Sequence, residues 1–308
     1  MRTTTWLMIA LVTPLAWGAP SGQKTFKTPE AAAQALVKAA QAKDLKALLG
    51  LLGPLAKPLV DSGDPVADKN ARGQFLKRYQ EANKLDKSDP KKATLVIGNN
   101  EWPFPIPIVQ EGSIWYFDSA AGAEEVINRR IGENEIATIQ SCLAYVDAQQ
   151  EYYLRNVGKD PLQHYANKLI SSTGKKDGLY WPSAANEPPS PLGEEFADAR
   201  AEGYLQPGTP KGSPYHGYVY RLLTSQGPQA PGGAYEYMVN GELLGGFGLI
   251  AFPAEYGSSG VMTFIVNQDG VVYSRDLGPH TERVAMGIVE FNPDSMWTKE
   301  DGSVVAGN

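Results

Sequence analysis

The residue types able to do chemistry are thinly spread along this chain. His164, His216 and His280 each stand without a second histidine or a cysteine pair at a ligand spacing, so no zinc site is expected. Ser88 to Lys91 and Ser172 to Lys175 fit S-x-x-K, the pattern of serine acylation, but neither carries the companion motifs that such chemistry needs. Gly257-Ser258-Ser259-Gly260 is not a nucleophile elbow, because it is neither G-x-S-x-G nor the start of a helix. Asn267 and Asp269 at a hairpin tip fall short of the about six to eight oxygens that calcium takes. No phosphate-binding glycine loop and no dinucleotide fingerprint occur. The residues therefore define no catalytic set, no metal site and no cofactor, and they favour a non-enzymatic protein.

Composition narrows the class further. With 42% hydrophobic residues in 308, the chain has material for two cores of ordinary size. Its net charge of −6 argues against a nucleic-acid or anionic-lipid partner. Residues 1–18 read as a signal peptide, with Arg2, an apolar run from Trp6 to Val12 and the small-x-small site Ala16-Trp17-Gly18. Cleavage near Gly18 predicts a periplasmic or secreted protein, and no later segment has the roughly 20 apolar residues that cross a bilayer. Cys142 is the single cysteine, so no internal disulfide forms and packing alone must hold the fold.

The elements that would position any site fall in two groups, residues 26–126 and 127–308. In the first, Thr28-Pro29-Glu30 opens a helix to about Ala42, and Asp44 caps a second that stops at Gly53-Pro54. A charged helix is expected from Asn70 to Asn83. The period then changes to strand over 93–98, 102–110 and 113–118, with Glu111-Gly112 as a tight turn. Prolines 103, 105 and 107 alternate, which predicts a strand that pairs through one side or lies at an edge.

The second group opens with one long helix in the stretch 127–158. Ile136, Ile139, Leu143, Val146 and Tyr153 form its predicted inner stripe, widened by Cys142, Tyr145 and Tyr152. Asn134 and Gly158 are its expected caps. Arg129 and Arg130 face Glu124 and Glu125 as ion pairs at the domain junction. A loop region, 159–216, carries two short helical patches, PLQHYANKL and PLGEEFADAR. Antiparallel strands follow from Gly217, including a hairpin across Gln268-Asp269-Gly270. Phe247, Leu249 and Ala251 line the sheet face that the helix 134–157 is expected to cover. The fold class is therefore α+β throughout.

Helices followed by antiparallel strands ending in Trp115, Phe117 and Asp118 resemble the nuclear-transport-factor-two-like fold, a cone of helices on a curved sheet. That resemblance implies a pocket lined by Trp102, Trp115 and Phe117, with Glu101 or Asp118 available for ligand binding or hydrolysis.

The second half carries Asn134-Glu135, Ala148-Gln149 and Tyr152, then Gly217 to Leu222, Phe247 to Pro253, Gly257, Gly260, Phe264, Val266, Gly270 and Tyr273. In that order these pieces resemble the globular heads of type IV pilins and pseudopilins. Pilins polymerise through an apolar N-terminal helix, whereas here the residues before Asn134 are VINRRIGE; filament assembly is not expected.

From WPFPIPIV through YYLRNVGKDPLQHYA to GGFGLIAFPAEYGSSGVMTFIVNQDGVVYSRDLG, the chain is similar to a bacterial secreted family catalogued as domain of unknown function 2950. The function expected from these readings is an envelope interaction or assembly protein, with another envelope protein as partner. A small-ligand-binding or hydrolytic protein with its pocket in the cone-like half is the alternative.

Overall fold

The computed structural model describes residues 22–300 apart from 157, 160, 185, 206–209 and 211, so the signal-peptide reading lies outside the described residues. The chain is α+β, with all named strand pairs antiparallel.

In the first half, Thr28 caps α1 (Pro29–Ala42) by accepting from the Ala31 amide, and Asp44 caps α2 (Leu45–Leu52) through the Ala47 amide at 2.9 Å. After a short α3 (Lys57–Val60), α4 runs Pro65–Glu81, starting five residues before the expected Asn70. The Asp64-Pro65 pair explains the earlier start: the Asp64 side chain satisfies two amides of the first turn, and proline lacks the donor that would otherwise be orphaned.

The first sheet has the order β1 (Asn83–Asp89), β2 (Lys92–Ile97), β4 (Ile108–Glu111), β5 (Ile114–Phe117), with β3 (Trp102–Pro103) also on β2. β1 was not expected as a strand, because NKLDKSD has no apolar alternation; as an edge strand it is mostly exposed and its lysines suit that position. The proline run 102–110 is not one edge strand. It breaks between β3 and β4, and β4 sits centrally between β2 and β5. Ala32, Leu36, Leu48 and Leu51 of the two helices pack on Leu95, Ile97, Ile108 and Phe117 to make this core.

α5 (Ser119–Arg155) is one 37-residue helix that belongs to both halves. It starts 15 residues before the expected cap Asn134, with Asp118 as N-cap, and it ends at Asn156 in the left-handed region rather than at Gly158. Its buried seam is Thr138, Cys142, Tyr145, Gln149 and Tyr152, together with Ile139 and Val146. The predicted stripe holds at Ile139, Cys142, Tyr145, Val146 and Tyr152, whereas Ile136 is 39% exposed and Leu143 only partly buried. Polar residues complete the seam. Gln149 is fully buried because its side chain exchanges hydrogen bonds with Ala166, donating to the carbonyl and accepting from the amide at 2.8 Å each.

The segment 161–169 is not helical. Tyr165 bridges Leu243 in extended backbone, and Ala166 is held by Gln149. The second patch does form a helix, α6 (Gly193–Glu202).

The second sheet runs β14 (Thr298–Lys299), β13 (Tyr273–Asp276), β12 (Met262–Asn267), β11 (Gly248–Pro253), β6 (Tyr218–Leu223). The β12–β13 hairpin turns as expected, with Gly270 at φ 70°. Two small ribbons, β7 (Ser225–Gln226) with β8 (Tyr235–Glu236) and β9 (Met238–Val239) with β10 (Glu242–Leu243), flank it. Leu249, Ala251, Phe264 and Val266 face α5, as the helix cover requires. The opposite face is covered as well: Ile250, Phe252 and Ile265 pack with Ala285 of α7 (Thr281–Gly287) and with Phe291. β11 is consequently buried at every residue.

Buried polar contacts pin the halves together. Asp64, 1% exposed, accepts from the Tyr204 hydroxyl at 2.8 Å and the Gly217 amide at 2.9 Å while it caps α4. Gly217 reaches it from a turn in which His216 and Gly217 both have positive φ, closed by reciprocal bonds between Tyr215 and Tyr218. Arg130 donates to the Pro58 and Leu59 carbonyls, at 2.5 and 2.9 Å, instead of pairing with Glu124 or Glu125; Arg129 does pair with Glu125. Glu135 accepts from the amides of Val261 and Met262 at 3.0 Å each.

Candidate functional site

The residues singled out in the first half go to separate tasks. Phe117 is 1% exposed in the core, with Trp115 two residues before it, half-buried against the same core. Asp118 caps α5 through the Ala121 amide at 3.2 Å. Trp102 lies on β3, which pairs with β2 on the same edge as β4 and further along it, edge to face with Phe104 at 6.3 Å and beneath the Arg78 guanidinium. Glu101 pairs with Lys84 on the surface at 2.5 Å. Trp102, Trp115 and Phe117 all pack on the first core, and both carboxylates are engaged.

Cys142 is fully buried, and burial pushes its thiol up to about 12, so it behaves as a core residue and not as a nucleophile.

Two concavities flank the C-terminal part of α5. One, about 480 Å³, is lined by Tyr152, His164, Lys168, Lys176, Asp177 and Glu242. Its charges are matched: Lys168 with Asp177 at 2.7 Å, Lys176 with Glu187 at 3.1 Å, His164 with Glu242 at 3.3 Å. Hydrogen bonds from Lys168 and from Ser172 hold the Asp177 carboxyl well below the usual carboxylate range.

The other, about 490 Å³, is a groove between α5 and the turn that enters α6. Asp147, Glu151 and Arg155 come from α5; Glu194 and Glu195 come from the first turn of α6. Its floor and rim are apolar: Leu143, Ala144, Ala148, Pro189 and Pro191. Helical spacing explains the α5 contribution, since 140, 144, 147 and 151 fall on one face, away from the sheet-facing seam. The charge is unbalanced. Arg155 is committed to Glu151 and to the Pro189 carbonyl, and among the described residues no basic group pairs with Asp147, Glu194 or Glu195. Ser190 also lines this groove; it is 4% exposed and its hydroxyl has no hydrogen-bond partner. Trp181 and Ser183, in the same segment, likewise carry unpartnered buried polar atoms.

Sequence reading missed this groove. Its signals were the Asp147 and Glu151 pair four residues apart and the adjacent Glu194 and Glu195. Each also reads as an ordinary solvated helix surface or as a complement to a helix dipole.

Fold and site together define an α+β protein of two sheets spanned by one helix, with charged grooves near that helix's C-terminus. A family model described as a protein of unknown function, DUF2950, matches residues 23–300, and the chain belongs to that family. No curated protein and no solved structure matches it. Among the described residues no helix is long and apolar enough to cross a membrane.

Proposed function

We propose that this is an exported envelope protein that acts by holding a protein partner rather than by turning over a substrate, with a pilin-like second half as its binding head. The observation that carries this reading is the junction. Buried Asp64 and part-buried Arg130 spend their charges on backbone groups across the two halves, which ties them together and leaves the outer grooves preorganised. Export is supported by the character of residues 1–18 and by a chain with a single, buried cysteine.

A photo-crosslinking residue in place of Glu194, introduced in cells that express the full chain, tests both parts. The expected result is a mature chain starting near Ala19 in the periplasmic or secreted fraction, with a discrete adduct to one envelope protein. A chain that retains Met1 overturns export. Failure to form an adduct, from position 194 and from a set of positions spread over both halves, overturns the interaction reading.

A further inference from the structure

We propose that the groove between α5 and the 189–195 turn takes a basic peptide segment of the partner, seating lysine or arginine side chains. This deepens the reading of the chain as an interaction protein and rests on it. Four carboxylates, Asp147, Glu151, Glu194 and Glu195, surround the groove against one guanidinium, Arg155, which is already tied to Glu151 and Pro189. Such a surface attracts cations and rejects phosphates and anionic headgroups.

Independent of that charge is Ser190. The residue is 4% exposed and its hydroxyl has no hydrogen-bond partner, so an incoming donor or acceptor that reaches it completes its bonding. The apolar lining fits the same occupant. The methylene stems of lysine and arginine lie against Leu143, Ala144, Ala148 and the prolines while their heads reach the carboxylates. A volume of about 490 Å³ accepts a short segment and not a folded element. The neighbouring concavity offers no such imbalance, because its lysines and acids pair with each other.

The probe is a short oligo-arginine peptide titrated calorimetrically against the full mature chain, beside a glycine-serine peptide of equal length. Saturable binding of the basic peptide alone, weakening as salt rises, is expected. The variant Glu194→Gln with Glu195→Gln should weaken it about fivefold to tenfold. Ser190→Ala should weaken it with unchanged thermal stability, which separates recognition from a folding defect. Neutralising Glu81, at the end of α4, and Asp86, on β1, should change nothing. Equal affinity in wild type and the double glutamine variant overturns the proposal, as does a free polyamine that binds as tightly as the peptide. If an adduct from a crosslinking position outside the groove persists in the double variant, the groove assignment fails while the interaction reading stands; absence of any adduct in the chain with its natural Glu194 and Glu195 removes the reading itself.

Discussion

The Asp64 side chain accepts from four donors, the Val66, Ala67 and Gly217 amides and the Tyr204 hydroxyl. One oxygen caps α4 and the other receives both a phenol and a main-chain amide from the opposite half. Burial, with the Asp64 carboxylate beside it, pushes the Tyr204 phenol far above its usual range, so it remains a donor at any ordinary pH. Asp64→Ala removes a cap and strands two buried donors, and should cost about 2 to 5 kcal/mol. The matched change Asp44→Ala removes only an exposed cap and should cost about 0.5 to 2 kcal/mol. Denaturant midpoints of the two variants check this; equal losses would show that the junction contacts contribute nothing. Asp177 makes a pH prediction. Its folded pKa is depressed, so its contribution is complete above the unfolded value of about 3.9 and is lost as pH falls below it. A carboxyl resonance of Asp177 that titrates at or above that value would contradict the Lys168 and Ser172 contacts.

Glycine substitutions test the helices as elements. Gly73 is within α4 with nothing near its missing Cβ, so Gly73→Ala should stabilise by about 0.5 to 1 kcal/mol through backbone entropy. Gly122, in the first turns of α5, has the opposite sign. A Cβ there would stand 2.3 Å from the Pro105 carbonyl oxygen, which is main chain and cannot swing aside. Gly122→Ala should therefore lower stability, by about 1 to 3 kcal/mol, despite its better helix propensity. Thermal midpoints that rise in both variants would mean that α5 does not lie against the 105–106 break.

At the scale of the whole molecule, the arginines before Asn134 are within a helix that is already packed. Arg130 is held by the α3 carbonyls and the α5 surface nearby contacts the first half. An axial bundle of α5 helices from several copies would have to strip these contacts and bury charge without partners, at several kcal/mol per ion. The mature protein is accordingly expected to remain a monomer or a small fixed oligomer across a wide concentration range. Light scattering that shows open-ended growth would overturn that expectation.

The sequence by itself determined the elements whose signals are local. Thr28, Asp44 and the Asp269-Gly270 turn bring their own hydrogen bonds or backbone freedom, so α1, α2 and the β12–β13 hairpin stand where their residues place them. The α+β class and the family were legible for the same reason, in periodicity and in long continuous phrases. Tertiary structure decided what depends on distant partners. Whether Gln149 faces core or solvent turns on Ala166 waiting opposite, so apolar spacing found Ile139, Cys142, Tyr145, Val146 and Tyr152 but not the polar part of the seam. The start of α5 shifted because Asp118 capped it before the charged stretch, in a context supplied by the first sheet. β11 looked half-buried until α7 and Phe291 covered its second face, although its unbroken run of apolar residues was a signal of burial on both sides. The acidic groove had only ambiguous local signals, two acidic pairs that also read as solvated helix surface: its carboxylates come from segments far apart in the chain, and only packing brings charges of one sign together around a buried serine.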